Sequence, residues 1–427
     1  MPAETRETTL PSASPAIARV EAHVLRWPVR EPVRTSFGTM HDRPAVLVCV
    51  EDAEGARGWG EAWCNFPSCG AEHRARLVES VLAPLLVGRA YASPQAAWAD
   101  LTAQTAVLAL QSGEPGPIAQ AIAGLDIALH DLAARRAGQP LWRRLASESA
   151  GRRSAAGRAD GAADCADGTA DCADGTADRD AAAPGDTARV PVYASGINPE
   201  RPGATVEALR RAGHIAFKLK VGFGAERDVA NLAEVRAAAG RAAAVMVDAN
   251  QAWDLDGALA MARRLAASAP AWLEEPLRAD RPWSEWQRLA AASPIPLAAG
   301  ENAIGTPAFE ALIEARAVAV VQPDLAKWGG ISGVLGVIER IAAAGLRYCP
   351  HYLGAGVGLL ASAHLLAARG DLSSGLLEVD SNENPLRERL CPPLAGLRAG
   401  QIVLDDTPGL GVEPDLAELR ALCAGAR

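Results

Sequence analysis

Aromatic residues are scarce in this 427-residue chain: Phe, Tyr and Trp together make up only 4% of it. Alanine is abundant instead, and hydrophobic residues still reach 49%. A large core is therefore available without many rings, which suggests a helix-rich α/β protein. Long apolar runs are missing as well. No stretch reaches the roughly 18 apolar residues of a membrane helix, so no membrane partner is expected. The amino-terminal MPAETRETTLPSASPAIA has no basic start followed by an apolar stretch, which argues against a secretion signal. Excess positive charge is absent. The formal net charge of −9 argues against nucleic acid as a partner. Residues 159–180 carry seven Asp against one Arg, so much of that charge is local. A small acidic substrate is still compatible with it, because a bound cation reverses the local field. The eight Cys follow no metal-binding spacing: most are scattered, and Cys165 and Cys172 belong to a duplicated heptapeptide. A reduced, cytoplasmic protein with incidental thiols is the expectation.

The length exceeds one ordinary domain and fits a barrel of about 250 residues plus a second domain. Residues 1–17 read as a disordered tail. From 18 to 62 the apolar residues alternate as in strands, and helical patterns follow over 71–87 and 93–110. A third helical pattern, IAQAIAGLDIALHDLAARRAG, spaces Ile118, Ile122, Leu125, Ile127, Ala128 and Leu132 over one face. Residues 18–150 thus form an expected α+β domain. Residues 151–188 are Ala, Asp and Gly, with DCADGTA twice in succession and no bulky apolar residue among the repeats. They read as a low-complexity, disordered insertion. Its DxDG look lacks the glutamate that a calcium loop requires. From 189 to 384 short apolar runs recur every 24–28 residues with helical patterns between them: VPVYASG, AFKLKVG, AAVMVDAN, AWLEEPL, PLAAGEN, AVVQPDL, YCPHYLG and SGLLEVD. Eight such units are the signature of a parallel β/α barrel. GQIVLDDTPGLGVEPD reads as strand and turn outside the barrel, and 385–427 are expected to return to the first domain.

Catalytic residues of parallel barrels sit at the carboxyl ends of strands, where polar residues would otherwise be costly. Here the run ends carry Lys218 and Lys220, Asp248 and Asn250, Glu274 and Glu275, Glu301 and Asn302, Asp324 and Lys327, His351, then Glu378 and Asp380. Asp248, Glu274 and Glu301 come from three consecutive strands, so their carboxylates converge and should raise one another's pKa. A hard divalent cation removes that conflict, and oxygen-only ligands favour Mg²⁺ or Mn²⁺ over Zn²⁺. Lys218 and Lys220 point the same way on a strand. Nearby positive charge should depress a lysine pKa and let it act as a base. His351 stands across the barrel from them, with Asp324 on the neighbouring strand able to orient its imidazole.

The ordered set KLK, VDANQAW, WLEEP, GEN, QPDLAKWGG, PH and LLE resembles the mandelate racemase subgroup of the enolase superfamily. The resemblance covers about residues 18–150 and 189–415. It implies a modified (β/α)7β barrel of the TIM type with an α+β capping domain. It also implies that Asp248, Glu274 and Glu301 ligate Mg²⁺, and that Lys220 is a base on one face of the substrate, tuned by Lys218. His351, paired with Asp324, would be the acid/base on the other face. Glu378 would hydrogen-bond a substrate carboxylate oxygen, with Asn250 and Lys327 assisting binding. The muconate lactonizing branch has a lysine where Asp324 stands, which places this chain on the racemase-like side. Segments around Ser36–His41 and Trp63–Phe66 would supply the cap's substrate-selecting loops. The stretch LLEVDSNENPLRERL with GLGVEPD also resembles members acting on acid sugars or their lactones.

The expected chemistry is removal of the proton α to a carboxylate, through an enediolate. Dehydration of a sugar acid is the favoured outcome, ahead of racemisation or epimerisation and then lactone cycloisomerisation. The expected partner is a small-molecule carboxylate, with the chain in a homo-oligomer. A barrel binding a carboxylate without turnover is the alternative of a different class, and it predicts a broken constellation that this sequence does not show.

Overall fold

A computed structural model describes residues 14–34, 38–149, 187–369 and 375–425. Residues 1–13 of the expected 1–17 tail, 151–186 of the expected 151–188 insertion, and Ser36 and Phe37 lie outside them, while Ile17 and Ala188 already stand in strands.

β1 (Ile17–Arg34), β2 (Thr39–Asp52) and β3 (Arg57–Ala62) form an antiparallel sheet in that order. In β2 the run AVLVCV has no polar alternation because both of its faces are covered. Val46, Val48 and Val50 pack under the sheet's own helices, whereas Ala45, Leu47 and Cys49 enter a core shared with the barrel. The helix Pro115–Arg136 lies directly on β3. Glycines permit that approach, since a Cβ on Gly60 would stand 2.0 Å from the carbonyl oxygen of Gly124. Ile118, Ile122, Leu125, Ala128 and Leu132 pack on the sheet side, but Ile127 turns into the shared core. The helix is therefore buried on more than the one face its periodicity suggests.

The second sheet is parallel and curls around an interior. It comprises β4 (Ala188–Ile197), β5 (Ala216–Lys220), β6 (Ala244–Asp248), β7 (Leu273–Glu274), β8 (Leu297–Ala299), β9 (Val320–Val321), β10 (Arg347–Tyr348) and β11 (Leu377–Asp380). The strand order is β10-β9-β8-β7-β6-β5-β4-β11, with helices in each sequence gap from β4 to β11. Between β10 and β11 the Glu378 N–H donates to Pro350 O at 3.3 Å. This is a modified (β/α)7β barrel with an α+β cap. β12 (Gln401–Leu404) pairs antiparallel with the entry end of β4. The chain then meets the first domain, where Leu410 N–H donates to Asp131 of the helix Pro115–Arg136 at 2.6 Å and the Trp59 indole of β3 to Glu413 at 3.0 Å. Among the described residues no helix is long and apolar enough to cross a membrane.

Strand periodicity sets the barrel interior in layers. Tyr193, Ala216, Met246, Trp272, Ala298, Val320 and Cys349 form an apolar cluster there. Two residues further along the strands come Lys218, Asp248, Glu274, Gln322 and His351, all buried. The apolar layer is thus the floor of a polar one.

Candidate active site

Every polar strand-end residue singled out in the sequence lies among the described residues, and most converge on one locus. Asp248, Glu274 and Glu301 each present a carboxylate oxygen within 4.8 Å of the others. Asp248 and Glu274 are fully buried and Glu301 nearly so. The Lys218 ammonium, itself inaccessible, lies 2.5 Å from Glu274, 2.9 Å from Glu378 and 3.7 Å from Asp248. Lys220 donates to Asp248 at 2.6 Å and to the Asn250 side-chain oxygen at 2.7 Å. Across the mouth, His351 Nδ1 stands 2.8 Å from Asp324 Oδ2, and its Nε2 stands 3.1 Å from Glu301 and 3.9 Å from Glu378. Asp324 is held by its own turn, since its Oδ1 accepts from Ala326 N–H at 2.9 Å and Lys327 N–H at 3.2 Å. A carboxylate can only accept, so Nδ1 carries the hydrogen and Nε2 faces the site. Lys327 reaches Glu301 at 3.0 Å and Asn302 at 3.1 Å, with its ammonium over the Trp63 ring of the cap at 4.9 Å.

The electrostatics differ in part from the expected pattern. Burial pushes Glu274 up to about 7, with Lys218 opposing and Asp248 adding to the rise. Asp248 and Glu301 do not follow. Burial disfavours their charge, yet the lysines around Asp248 and the His351 and Lys327 cations beside Glu301 hold both below the usual range. Nor are the lysines depressed. Burial pulls Lys220 down, but Asp248 outweighs it and the net shift is upward; Lys218 rises further under Glu274 and Glu378. The expected depression counted a bound cation among the positive neighbours; among the side chains alone, the carboxylates win. His351 is lifted to about 9, with burial opposed by Glu301, Glu378 and Asp324.

Several residues that the sequence did not single out complete the polar layer. The Tyr193 hydroxyl donates to Glu378 at 3.0 Å, and its ring lies 5.3 Å from the Lys218 ammonium. Gln322 and the Trp272 indole both donate to Glu274 Oε2, at 2.6 and 3.1 Å. Parity was the available signal, because Tyr193 precedes Ser195 by two and Gln322 precedes Asp324 by two on inward-facing registers. Glu275, the second Glu of WLEEP, turns away and accepts from Asn302 Nδ2 at both its oxygens, at 2.8 and 3.0 Å. Asp380 is engaged by the buried Arg43 of β2. Of the two cap segments, Trp63 and Phe66 have ring centroids 6.5 Å apart, and Gly38 lies against Phe66.

The three carboxylates suit a hard divalent cation: all donors are oxygens, two are buried and the third nearly so, and consecutive strands aim them at one point. Fold and site together define a capped β/α barrel with an all-oxygen cation site at the carboxyl ends of its strands. The chain belongs to the mandelate racemase/muconate lactonizing enzyme family of the enolase superfamily. The model of that family's N-terminal domain matches residues 18–145, and the enolase C-terminal domain-like model matches 203–419. The chain is similar to a D-galactarolactone cycloisomerase of Agrobacterium fabrum, 30% identical over 93% of this chain and 96% of the relative. It is also similar to an arabinonate dehydratase of Saccharolobus solfataricus, 26% identical over 87% and 88%. Among solved structures it resembles a mandelate racemase/muconate lactonizing enzyme from Bordetella bronchiseptica, with 57% identity and a TM-score of 0.83 over 96% of this chain and all of that one. Relatives in this family include sugar acid dehydratases, cycloisomerases and epimerases.

Proposed function

We propose that this protein removes the proton α to a substrate carboxylate with Mg²⁺ as cofactor, and that its reaction is dehydration of a sugar acid. The observation that carries the reading is the placement of Lys220 and the His351–Asp324 pair on opposite sides of one buried carboxylate triad. Asp248, Glu274 and Glu301 would hold the ion. When bound, Mg²⁺ supplies Lewis acidity and offsets the charge that a carboxylate gains on losing its α-proton.

The rest follows from this chain's side chains. Glu378, held by Tyr193 and Lys218, faces the locus as a partner for a substrate carboxylate oxygen. Either Lys220 or His351 Nε2 takes the α-proton, each from its own face. The second group then decides the outcome. If it delivers a proton to a departing β-hydroxyl, the product is a 2-keto-3-deoxy acid after ketonisation. If it returns a proton to the α-carbon, the product is the epimer. Similarity to arabinonate and D-galactonate dehydratases favours the first outcome. Similarity to an L-Ala-D/L-Glu epimerase supports the second, and similarity to a lactone cycloisomerase a further isomerisation, that of a related lactone. A panel of mono- and diacid sugars with Mg²⁺ tests both. A keto-acid product supports dehydration, product isomeric with its substrate supports the second reading, and absence of α-proton exchange across the panel removes the carbon-acid chemistry.

A further inference from the structure

Glu61 is a buried carboxylate outside the triad, on β3 of the cap, and the chemistry above does not use it. No lysine, arginine or histidine among the described residues forms an ion pair with it. Its main partners are backbone amides of the barrel. Oε1 accepts from Ala355 N–H at 2.6 Å and Oε2 from Gly358 N–H at 3.0 Å. Ala355 is the cap residue of the helix Gly356–Ala367, so Glu61 occupies that helix's positive end. The loop leading into this helix, 349–355, carries His351. Asn65, four residues after Glu61, donates to Leu353 O in the same loop at 2.8 Å. The geometry needs room at Gly354, where a Cβ would stand 2.7 Å from Glu61 Oε1.

The neighbouring loop repeats the arrangement. Asp126 of the helix Pro115–Arg136 accepts from the Ser332 N–H at 2.9 Å and the Ser332 hydroxyl at 2.5 Å, at the start of the helix Gly330–Ala343. That helix follows the turn carrying Asp324. A Cβ on Gly330 would stand 2.3 Å from Asp126. Each half of the His351–Asp324 pair thus leads into a helix whose amino terminus is capped by a carboxylate from the other domain.

We infer that Glu61 is a positioning residue for His351: by tying the amino terminus of the helix Gly356–Ala367 to the cap, it holds the loop that sets the His351–Asp324 hydrogen bond. This rests on the reading of His351 as an acid/base. It separates Glu61 from a merely fold-stabilising residue, because the effect enters the site through His351, which meets the triad only at Glu301. The triad and Lys220 stand on β5 to β8 and the loops after them, and are not attached to Glu61.

The test uses the full-length, Mg²⁺-loaded protein with isotope-labelled histidine. The proton on His351 Nδ1 is identified by its loss in His351→Asn, and its exchange with water is measured. Glu61→Gln keeps the size but turns a donor toward an amide donor. It should speed that exchange by about tenfold or more and leave Mg²⁺ affinity within about twofold. Asn65→Ala removes the clamp on Leu353 without a buried charge and should act in the same direction, less strongly. A folded Glu61→Gln protein with wild-type exchange at His351 overturns the inference. If Glu61→Gln does not fold, wild-type exchange in Asn65→Ala overturns it instead. Absence of any resonance lost in His351→Asn would take the acid/base reading down along with it.

Discussion

Asp324 Oδ2 stands 2.8 Å from His351 Nδ1, while its other oxygen is fastened to the turn that follows β9. The carboxylate is thus a fixed reference that selects one tautomer and leaves Nε2 toward the locus. Asp324→Asn keeps the ring but allows the wrong tautomer. It should slow α-proton exchange on the His351 face by about a hundredfold or more while sparing the Lys220 face. Stereospecific exchange in deuterated water, compared with Lys220→Ala and His351→Asn, reads this out. Equal losses on both faces would count against two separate bases.

Glu274→Gln keeps the size and, with its oxygen at the Oε2 position, a partner for both donors there, although its amide nitrogen then faces the Lys218 ammonium. It removes one of three converging charges. Mg²⁺ affinity by calorimetry should weaken by about tenfold or more, and chelation of the wild type should abolish turnover until Mg²⁺ or Mn²⁺ is restored. Full turnover in a metal-stripped sample would sink the cation assignment.

His364 governs an acid limb of stability. Its Nδ1 accepts from Trp142 N–H at 3.0 Å and its Nε2 donates to Leu410 O at 3.2 Å, so a second ring proton would face an amide hydrogen. Burial pushes its pKa down to about 4. The unfolded chain therefore binds the proton first. The stability contribution is complete above the unfolded value near 6.5 and is lost as pH falls through about 4, by about 3 kcal/mol in all. His364→Gln, which can offer the same acceptor and donor, should flatten urea-derived stability against pH in that window. An unchanged slope would contradict the assignment.

Gly60→Ala places a methyl group 2.0 Å from the Gly124 carbonyl and should cost about 3 kcal/mol. Urea midpoints at constant slope would show it, and a neutral result would mean that helix and strand can separate cheaply.

The strand-end residues were legible because a buried apolar run seldom finishes on a charged side chain by chance, and here run after run does so. The same parity points to Tyr193 and Gln322, but a tyrosine or glutamine in a strand has many ordinary uses. Ile127 escapes the helical pattern because a 3.6-residue period describes one buried stripe, and this helix packs on two. The lysine shifts were illegible for a different reason. Their sign depends on which charges stand within a few ångströms, and that is a property of three dimensions. Glu61 carried no signal at all, since its main partners are backbone amides far along the chain, at Ala355 and Gly358.

From Ala45 to Val50, β2 has no outer surface: the odd-numbered residues belong to the barrel's core and the even-numbered ones to the cap's. Evolution or engineering cannot exchange the cap as a cassette. A chimera carrying a relative's first domain would need matching volumes at Ala45, Leu47 and Cys49, and a new specificity should come more readily from grafting single loops than from swapping the whole module.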